Sequence, residues 1–441
     1  MSRLEIQWPD AAAERARAAR GRLIRAGEGL RARSFEDRLA SVARVLSEWT
    51  RADSVWRREL ERALAATTPF SQGAIAEGLE SALRAWEPGA FVECARREVG
   101  PGALGEARTL APYEWTTVIA GGPIPMPTLL SALIPLVVGS PVLLRETEKD
   151  PITASVLRRS IAAQDPELAA CCEPLAFPHD DAAAYEILLT APCVVATGSD
   201  EALGAISARL GPTTRFVGYG HRFSIAILGP RLCEGDLLER AAEGLALDVA
   251  RWDQMGCLSA VVVYLLGVDT ALAEQIAESV SDALARLEDS MPRGSIETAR
   301  AAQLASERAE ARMRVATSGG RLLEGRGHTV VLEADAQARP APLGRFLRLM
   351  PVSTHAELLE RLTPFAGQLS SVAIAGLAEE NSVPDPRSSG DLPLLSQLSH
   401  LGVSRITEPG RLQTPPVDWP HDGLPLFTPL ARMLQRDAVQ L

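Results

Sequence analysis

Cys257 has the setting that best suits covalent chemistry. It follows Gly256, precedes the small Ser259, and leads into the apolar run Ala260–Leu266. A thiolate nucleophile needs a loop or helix end that exposes sulfur, with small neighbours that admit an acyl group. The other reading is a core cysteine, since free cysteine is often buried. Thr197-Gly198-Ser199 follows the apolar run Cys193–Ala196 and opens a helix at Glu201. Backbone N–H groups at such a helix start would face a phosphate or a nicotinamide. The turn is not a GxGxxG fingerprint, and many similar turns bind nothing. His221 and Arg222 follow Gly218-Tyr219-Gly220. Either orients a substrate or carries a proton, or both are simply solvated. His421 and Asp422 close an active-site mouth or make an oligomer contact, and the sequence leaves that choice open.

Composition narrows the chemistry further. The chain has 441 residues, with 45 basic and 56 acidic side chains and a net charge of −11. No basic face or tail appears, which excludes a nucleic-acid binder. Lys149 is the single lysine and Asn381 the single asparagine. A Schiff-base or P-loop lysine is therefore excluded, since Lys149 lies in neither context. Six histidines are scattered, and no metal-ligand cluster is present. Six cysteines without a regular framework read as free thiols in a reducing cytoplasm. The N-terminus has no apolar signal core. Trp115 to Leu144 carries no charge, but its five prolines and three glycines exclude a spanning helix.

The elements that must position these residues emerge from periodicity. Residues 1–110 read as a helical N-terminal region, with Trp49, Trp56 and Trp86 pinning it onto the next domain. From 111 to 228, strands alternate with helices: Thr116–Ala120, Pro141–Leu144, Cys193–Ala196 and Arg215–Val217 are the strands, with Leu175–Phe177 a further short one. Asp150 and Pro151 make a helix start. This rhythm predicts parallel βαβ units and a doubly wound, Rossmann-type cofactor domain. A second α/β block, the catalytic domain, runs from 229 to 405. Residues 406–441 form a tail that returns to the cofactor domain or an oligomer contact. Thr354 with Glu357 predicts a capping box, and residues 380–393 a surface loop.

Taken in order, the Gly/Pro loop at 121–127, the segment Gly139–Arg145, Glu148, Pro151, the Thr-Gly-Ser turn, Gly218–Ser224 and Asp253–Ser259 resemble the aldehyde dehydrogenase superfamily. More closely, with the tail Trp419–Leu424, they resemble the LuxC-type fatty acyl-CoA reductases, over about residues 110–435. The resemblance implies an aldehyde-dehydrogenase-like α/β fold and a nucleophile at Cys257, with Gln254 and His221 beside it. It implies a cofactor held by Arg145, Glu148, Thr197, Gly198, Ser199 and Gly220. The reaction implied is transfer of a long-chain acyl group from acyl-CoA or an acyl carrier to Cys257, then reduction to the aldehyde. NADPH is the cofactor expected, with NADH the alternative. Arg145, where the family has lysine, suits a 2′-phosphate, whereas Glu148 opposes it. An oligomer and a fatty-acid-activating synthetase partner are also implied, though no residue here demands either. Departures from the superfamily pattern are informative. Gly218 stands at the hydrolytic glutamate's position, which disfavours release of a free acid. The ribose-binding glutamate falls near Ala341, and Pro123 replaces the oxyanion asparagine, leaving backbone N–H groups to serve. Two readings remain beside the reductase: an acyl transferase or thioesterase on the same fold, and a non-catalytic scaffold.

Overall fold

Runs of β-branched and leucine residues between glycine and proline turns build two separate sheets. The structure is a computed structural model that describes residues 12–103, 108–377 and 394–435. The first strands are β1 (Arg108–Pro112), β2 (Thr116–Ile119), β3 (Val142–Glu146), β4 (Cys172–Ala176), β5 (Cys193–Thr197) and β6 (Arg215–Tyr219). Strands β4-β3-β2-β5-β6 form a parallel sheet in that order. Every residue of β2 and β3 is buried, as strands covered on both faces require. The strand order reverses at β2, so a crevice opens beyond the carboxyl ends of β2 and β5.

The second sheet comprises β7 (Phe223–Leu228), β8 (Ala260–Leu266), β9 (Arg321–Glu324), β10 (Thr329–Leu332), β11 (Phe346–Val352), β12 (Leu369–Ala375) and β13 (Arg405–Thr407). Its order is β13-β12-β7-β8-β11-β10-β9, parallel except for the β9–β10 pair. Phe223–Leu228, which the strand rhythm assigns to the end of the cofactor unit, pairs with β8 and β12 instead. The chain crosses between sheets in the short link from Gly220 to Arg222. A last strand, β14 (Ala431–Gln435), lies antiparallel to β1.

Five helices, Ala12–Ala32, Phe35–Thr50, Val55–Thr67, Gln72–Ala85 and Pro88–Val99, precede the sheets. Ser34, Ser54 and Ser71 cap three of them by accepting backbone N–H bonds. Trp49 and Trp86 are buried in the core shared with the five-stranded sheet, and Trp49 Nε1 donates to Ser160 Oγ at 2.8 Å. The first helix covers the other face, packing Ala16, Ala19 and Leu23 near Leu143 and Val194. The helix expected at Pro151 begins at Thr153, because Asp150 Oδ1 accepts from both Thr153 N–H and Oγ. The Thr354–Glu357 cap forms, with Glu357 reaching back to Ser353 N–H at 2.8 Å. Residues 380–393 and Asn381 lie outside the described residues. Among the described residues no helix is long and apolar enough to cross a membrane.

Candidate active site

The segment carrying Cys257 is a tight turn between helix Leu237–Ala250 and β8. Trp252, Asp253 and Gln254 all take left-handed backbone angles, with φ of 53°, 48° and 64°. Such a conformation costs bulky residues about 1–3 kcal/mol each, so the surroundings must hold it. Asp253 meets the guanidinium of Arg345 at 2.7 Å and accepts from Gly294 N–H at 3.0 Å. Arg345 also pairs with Glu288 at 3.1 Å and is itself left-handed at φ 65°. The Trp252 indole packs so closely on Gly78 that a Cβ there would lie 2.4 Å from the ring. Phe70 meets the same indole edge-on at 5.3 Å.

Gln254 is fully buried, and its amide is spent on backbone. It donates to Ala260 and Phe346 carbonyls at 2.8 and 3.0 Å and accepts from Phe346 N–H at 2.9 Å. The structure therefore places Gln254 as a brace under the turn and not in the cleft. Ser224 Oγ donates to the Cys257 carbonyl at 3.0 Å and ties the turn to β7. Ile124, next to Pro123, packs against Gly256, where an added Cβ would lie 3.2 Å from its side chain.

Cys257 and Cys233 are the exposed cysteines; the other four are buried. Cys257 opens to solvent on one side, but protein crowds its flanks. That withdrawal of water pushes the thiol up to about 11, and the Asp422 carboxylate adds to the rise. The nearby N–H groups of Cys257 and Leu258 oppose it by favouring the thiolate. These are the backbone donors available where the side-chain amide is missing.

The expected cofactor residues gather at the carboxyl ends of the five-stranded sheet. Thr197 ends β5, and Ser199 caps the next helix, with its hydroxyl accepting from Ala202 N–H at 3.2 Å. Gly121, after β2, approaches Thr197 so closely that a Cβ would lie 2.3 Å from its carbonyl oxygen. Asp200 Oδ1 accepts from His221 N–H at 2.7 Å, and Gly220 is needed because a Cβ there would strike that carboxylate. The His221 side chain is exposed. Arg145, near the end of β3, is buried with its guanidinium over Phe177 and Tyr185 at 5.1 and 5.0 Å. Its Nε has no hydrogen-bond partner. Glu148 is exposed, 3.5 Å from His179. A switch-point crevice, a glycine cradle and an orphaned arginine donor fit a dinucleotide.

Residues 30–436 match the family described as acyl-CoA reductase (LuxC). The chain belongs to the LuxC family. A long-chain acyl-protein thioester reductase from Photorhabdus laumondii is 26% identical over 153 residues, 34% of this chain and 31% of that protein. The chain thus spans about a third of the length of that curated relative. The fold is that of the aldehyde dehydrogenases: aldehyde dehydrogenase 21 from Physcomitrella patens superposes with a TM-score of 0.70 at 14% identity, covering 96% of this chain and 90% of that one. Glyceraldehyde-3-phosphate dehydrogenase from Methanocaldococcus jannaschii, complexed with NADP, gives 0.67 at 11%, covering 97% and 95%.

In this LuxC-family chain the tail packs on the crossover between the two sheets. His421 stacks on Tyr219 with ring centroids 4.5 Å apart, and Arg222 Nε lies 3.4 Å from Asp422 Oδ2. The tail thereby holds Tyr219 and Arg222 on either side of Gly220. Gly218 supplies no carboxylate, and Asp422 is the tail residue whose charge raises the Cys257 thiol. Arg345 is a functional candidate that sequence reasoning did not single out, and nothing local signals it.

Proposed function

We propose that this protein takes a long-chain acyl group from a thioester, acyl-CoA or an acyl carrier, onto Cys257 and releases it as the fatty aldehyde. The observation that carries the reading is the Cys257 turn. An accessible thiol stands at the head of β8, with backbone N–H groups nearby that favour its thiolate. Family membership supports the acyl thioester as substrate. A thioester carbon is electrophilic enough for a thiol to displace another thiol without activated water. A nicotinamide cofactor, when bound, supplies the hydride that reduces the acyl group. Thr197, Gly198, Ser199 and Gly220 would line its crevice, and Arg145 favours NADPH over NADH by offering an unpaired donor at the end of β3.

The test is direct. Incubation with acyl-CoAs of several chain lengths, with NADPH and NADH separately, is expected to give aldehyde with one cofactor preferred. Cys257→Ala is expected to abolish both aldehyde and the acyl adduct seen by intact mass spectrometry. Full activity in that variant would overturn the nucleophile assignment. A second reading, thioester hydrolysis at Cys257, draws on the carboxylate that Asp422 brings near. It predicts free fatty acid with no cofactor consumed.

A further inference from the structure

A second glutamine reaches the Cys257 turn, and its amide is only half used. Ser259 N–H donates to the Gly256 carbonyl at 3.0 Å, so residues 256–259 close a turn with Cys257 at its second position. Gln413 touches both ends of that turn. Its Nε2 donates to Ser259 Oγ, and to the Asp248 carbonyl at 3.4 Å. Its Oε1 lies 3.2 Å from the point where a Cβ on Gly256 would stand. Ile124 Cδ1 is equally near that point, so the amide and the 121–127 loop share the gap that the glycine leaves. Gln254 is the contrast, with both its amide nitrogen and its oxygen bonded to backbone. Gln413 Oε1 accepts no hydrogen bond among the described residues. The residue is 7% exposed, a depth at which polar oxygens are normally paired.

Three charged groups fix the segment that carries Gln413. Asp248, fully buried on helix Leu237–Ala250, accepts from the N–H groups of Gly410 and Leu412 at 2.6 and 3.0 Å. Arg251 donates to the Gly410 carbonyl at 2.9 Å. Arg405 donates to the carbonyls of Arg411, Leu412 and Thr414 at 2.6, 2.9 and 3.3 Å. Gly244 lets the segment dock on the helix, since a Cβ there would lie 2.5 Å from the Pro409 carbonyl. A side chain mounted on so braced a backbone keeps its amide in place beside the nucleophile's turn.

We infer that Gln413 recognises the carrier arm of the thioester, its Oε1 accepting the N–H that lies two carbons from the thioester sulfur. The role rests on the acyl-Cys257 reading and names what that site reads in its substrate. In a pantetheine arm, two methylenes separate sulfur from an amide N–H. In a cysteine residue of a carrier protein, Cβ and Cα separate sulfur from the backbone N–H. Both carriers thus offer the same donor at the same remove from sulfur. Neighbouring Cα atoms are about 3.8 Å apart, so an acceptor lying against Gly256 falls beside a carrier arm whose acyl carbon has reached Cys257. The bond makes and breaks nothing covalent. It holds the leaving sulfur's arm and leaves the acyl chain free to vary, which makes Gln413 a specificity residue for the carrier.

The experiment compares two decanoyl thioesters that differ in one group. Decanoyl N-acetylcysteamine has the N–H, and the decanoyl thioester of mercaptoethanol acetate has an ester oxygen in its place. Each is mixed with the full-length protein without nicotinamide, and acylation of Cys257 is followed by intact mass. The parent is expected to acylate about tenfold faster with the amide, the size of one neutral hydrogen bond. Gln413→Met removes the acceptor at similar length and is expected to bring the two rates within about twofold. Gln413→Glu keeps an acceptor oxygen and is expected to keep the preference. Loss of a merely structural contact slows both thioesters alike and leaves their ratio unchanged. Decanoyl N-acetylcysteine methylamide supplies the cysteine arm. It too is expected to outrun the ester, and the faster of the two amides identifies the carrier. Equal rates for amide and ester in the parent, which need no variant to fold, would overturn the proposal. So would a preference that survives in Gln413→Met. Either result leaves the acyl-enzyme reading standing. No Cys257 adduct from any of the thioesters would sink that reading, and this one with it.

Discussion

A thiol held near 11 is thiolate in on the order of 10⁻⁴ of molecules at pH 7. Cys257 is therefore a guarded thiol, resistant to adventitious electrophiles at neutral pH. Because burial and Asp422 raise the pKa, reactivity must climb as pH rises toward that value. In a Cys233→Ser background, which removes the other exposed cysteine, iodoacetamide labelling is expected to rise about tenfold per pH unit up to about pH 11. A plateau already reached by pH 8 would contradict the guarded thiol. The cysteine itself was legible, because a Gly-Cys turn before a β-branched run is a local signal. Its electrostatic neighbour was not, because Asp422 meets it through the tertiary fold alone.

Two irregular segments face each other beneath that thiol. Trp252–Gln254 and Leu343–Arg345 each place three successive residues in left-handed geometry, and five of the six are not glycine. Neither would hold alone. The buried Arg345 guanidinium, shared between Asp253 and Glu288, fixes both. Arg345→Met leaves two buried carboxylates without their counter-ion, and urea unfolding is expected to show a loss of about 3–5 kcal/mol. Acylation of Cys257 is expected to slow as well, since the turn that presents it loosens. A loss under about 1 kcal/mol would mean that the turn is held by other contacts. Regular elements were readable because their signals repeat: β2, β3, β5 and β8 all fall on apolar runs seen in the sequence. The left-handed triplets were not, since Trp, Asp, Gln, Leu and Arg carry no strong propensity for positive φ. The same limit misplaced β7, whose partners are set by pairing across the sheet and not by its own residues.

At the scale of the whole molecule, residues far apart in the chain meet around the Cys257 turn. The N-terminal helices supply Gly78 and Phe70 to the underside of the Cys257 turn, and Glu77 to Arg251 at 2.7 Å. They also supply Glu98, which grips the tail. Glu98→Ala frees three backbone N–H groups of that tail. Limited proteolysis is expected to cut faster within residues 410–430, because the tail loses the carboxylate that holds it on the N-terminal helices. Unchanged protection would show that Phe427, packed on Phe91 at 5.3 Å, suffices as anchor. The domain rhythm was visible in the order of strands and helices. That the helical region braces the nucleophile, instead of only covering a sheet, was not, because those contacts join residues far apart in the chain.

The tail's position in the chain has a consequence for synthesis. Cys257 leaves the ribosome well before Asp422, Glu98's partners and β14 do. A growing chain can fold the five-stranded sheet and expose the thiol while the segment that carries Asp422 is still unmade. The electrostatic guard on Cys257 then arrives late in synthesis. A chain stopped before residue 422 lacks that charge, so its thiol is the more open to electrophiles.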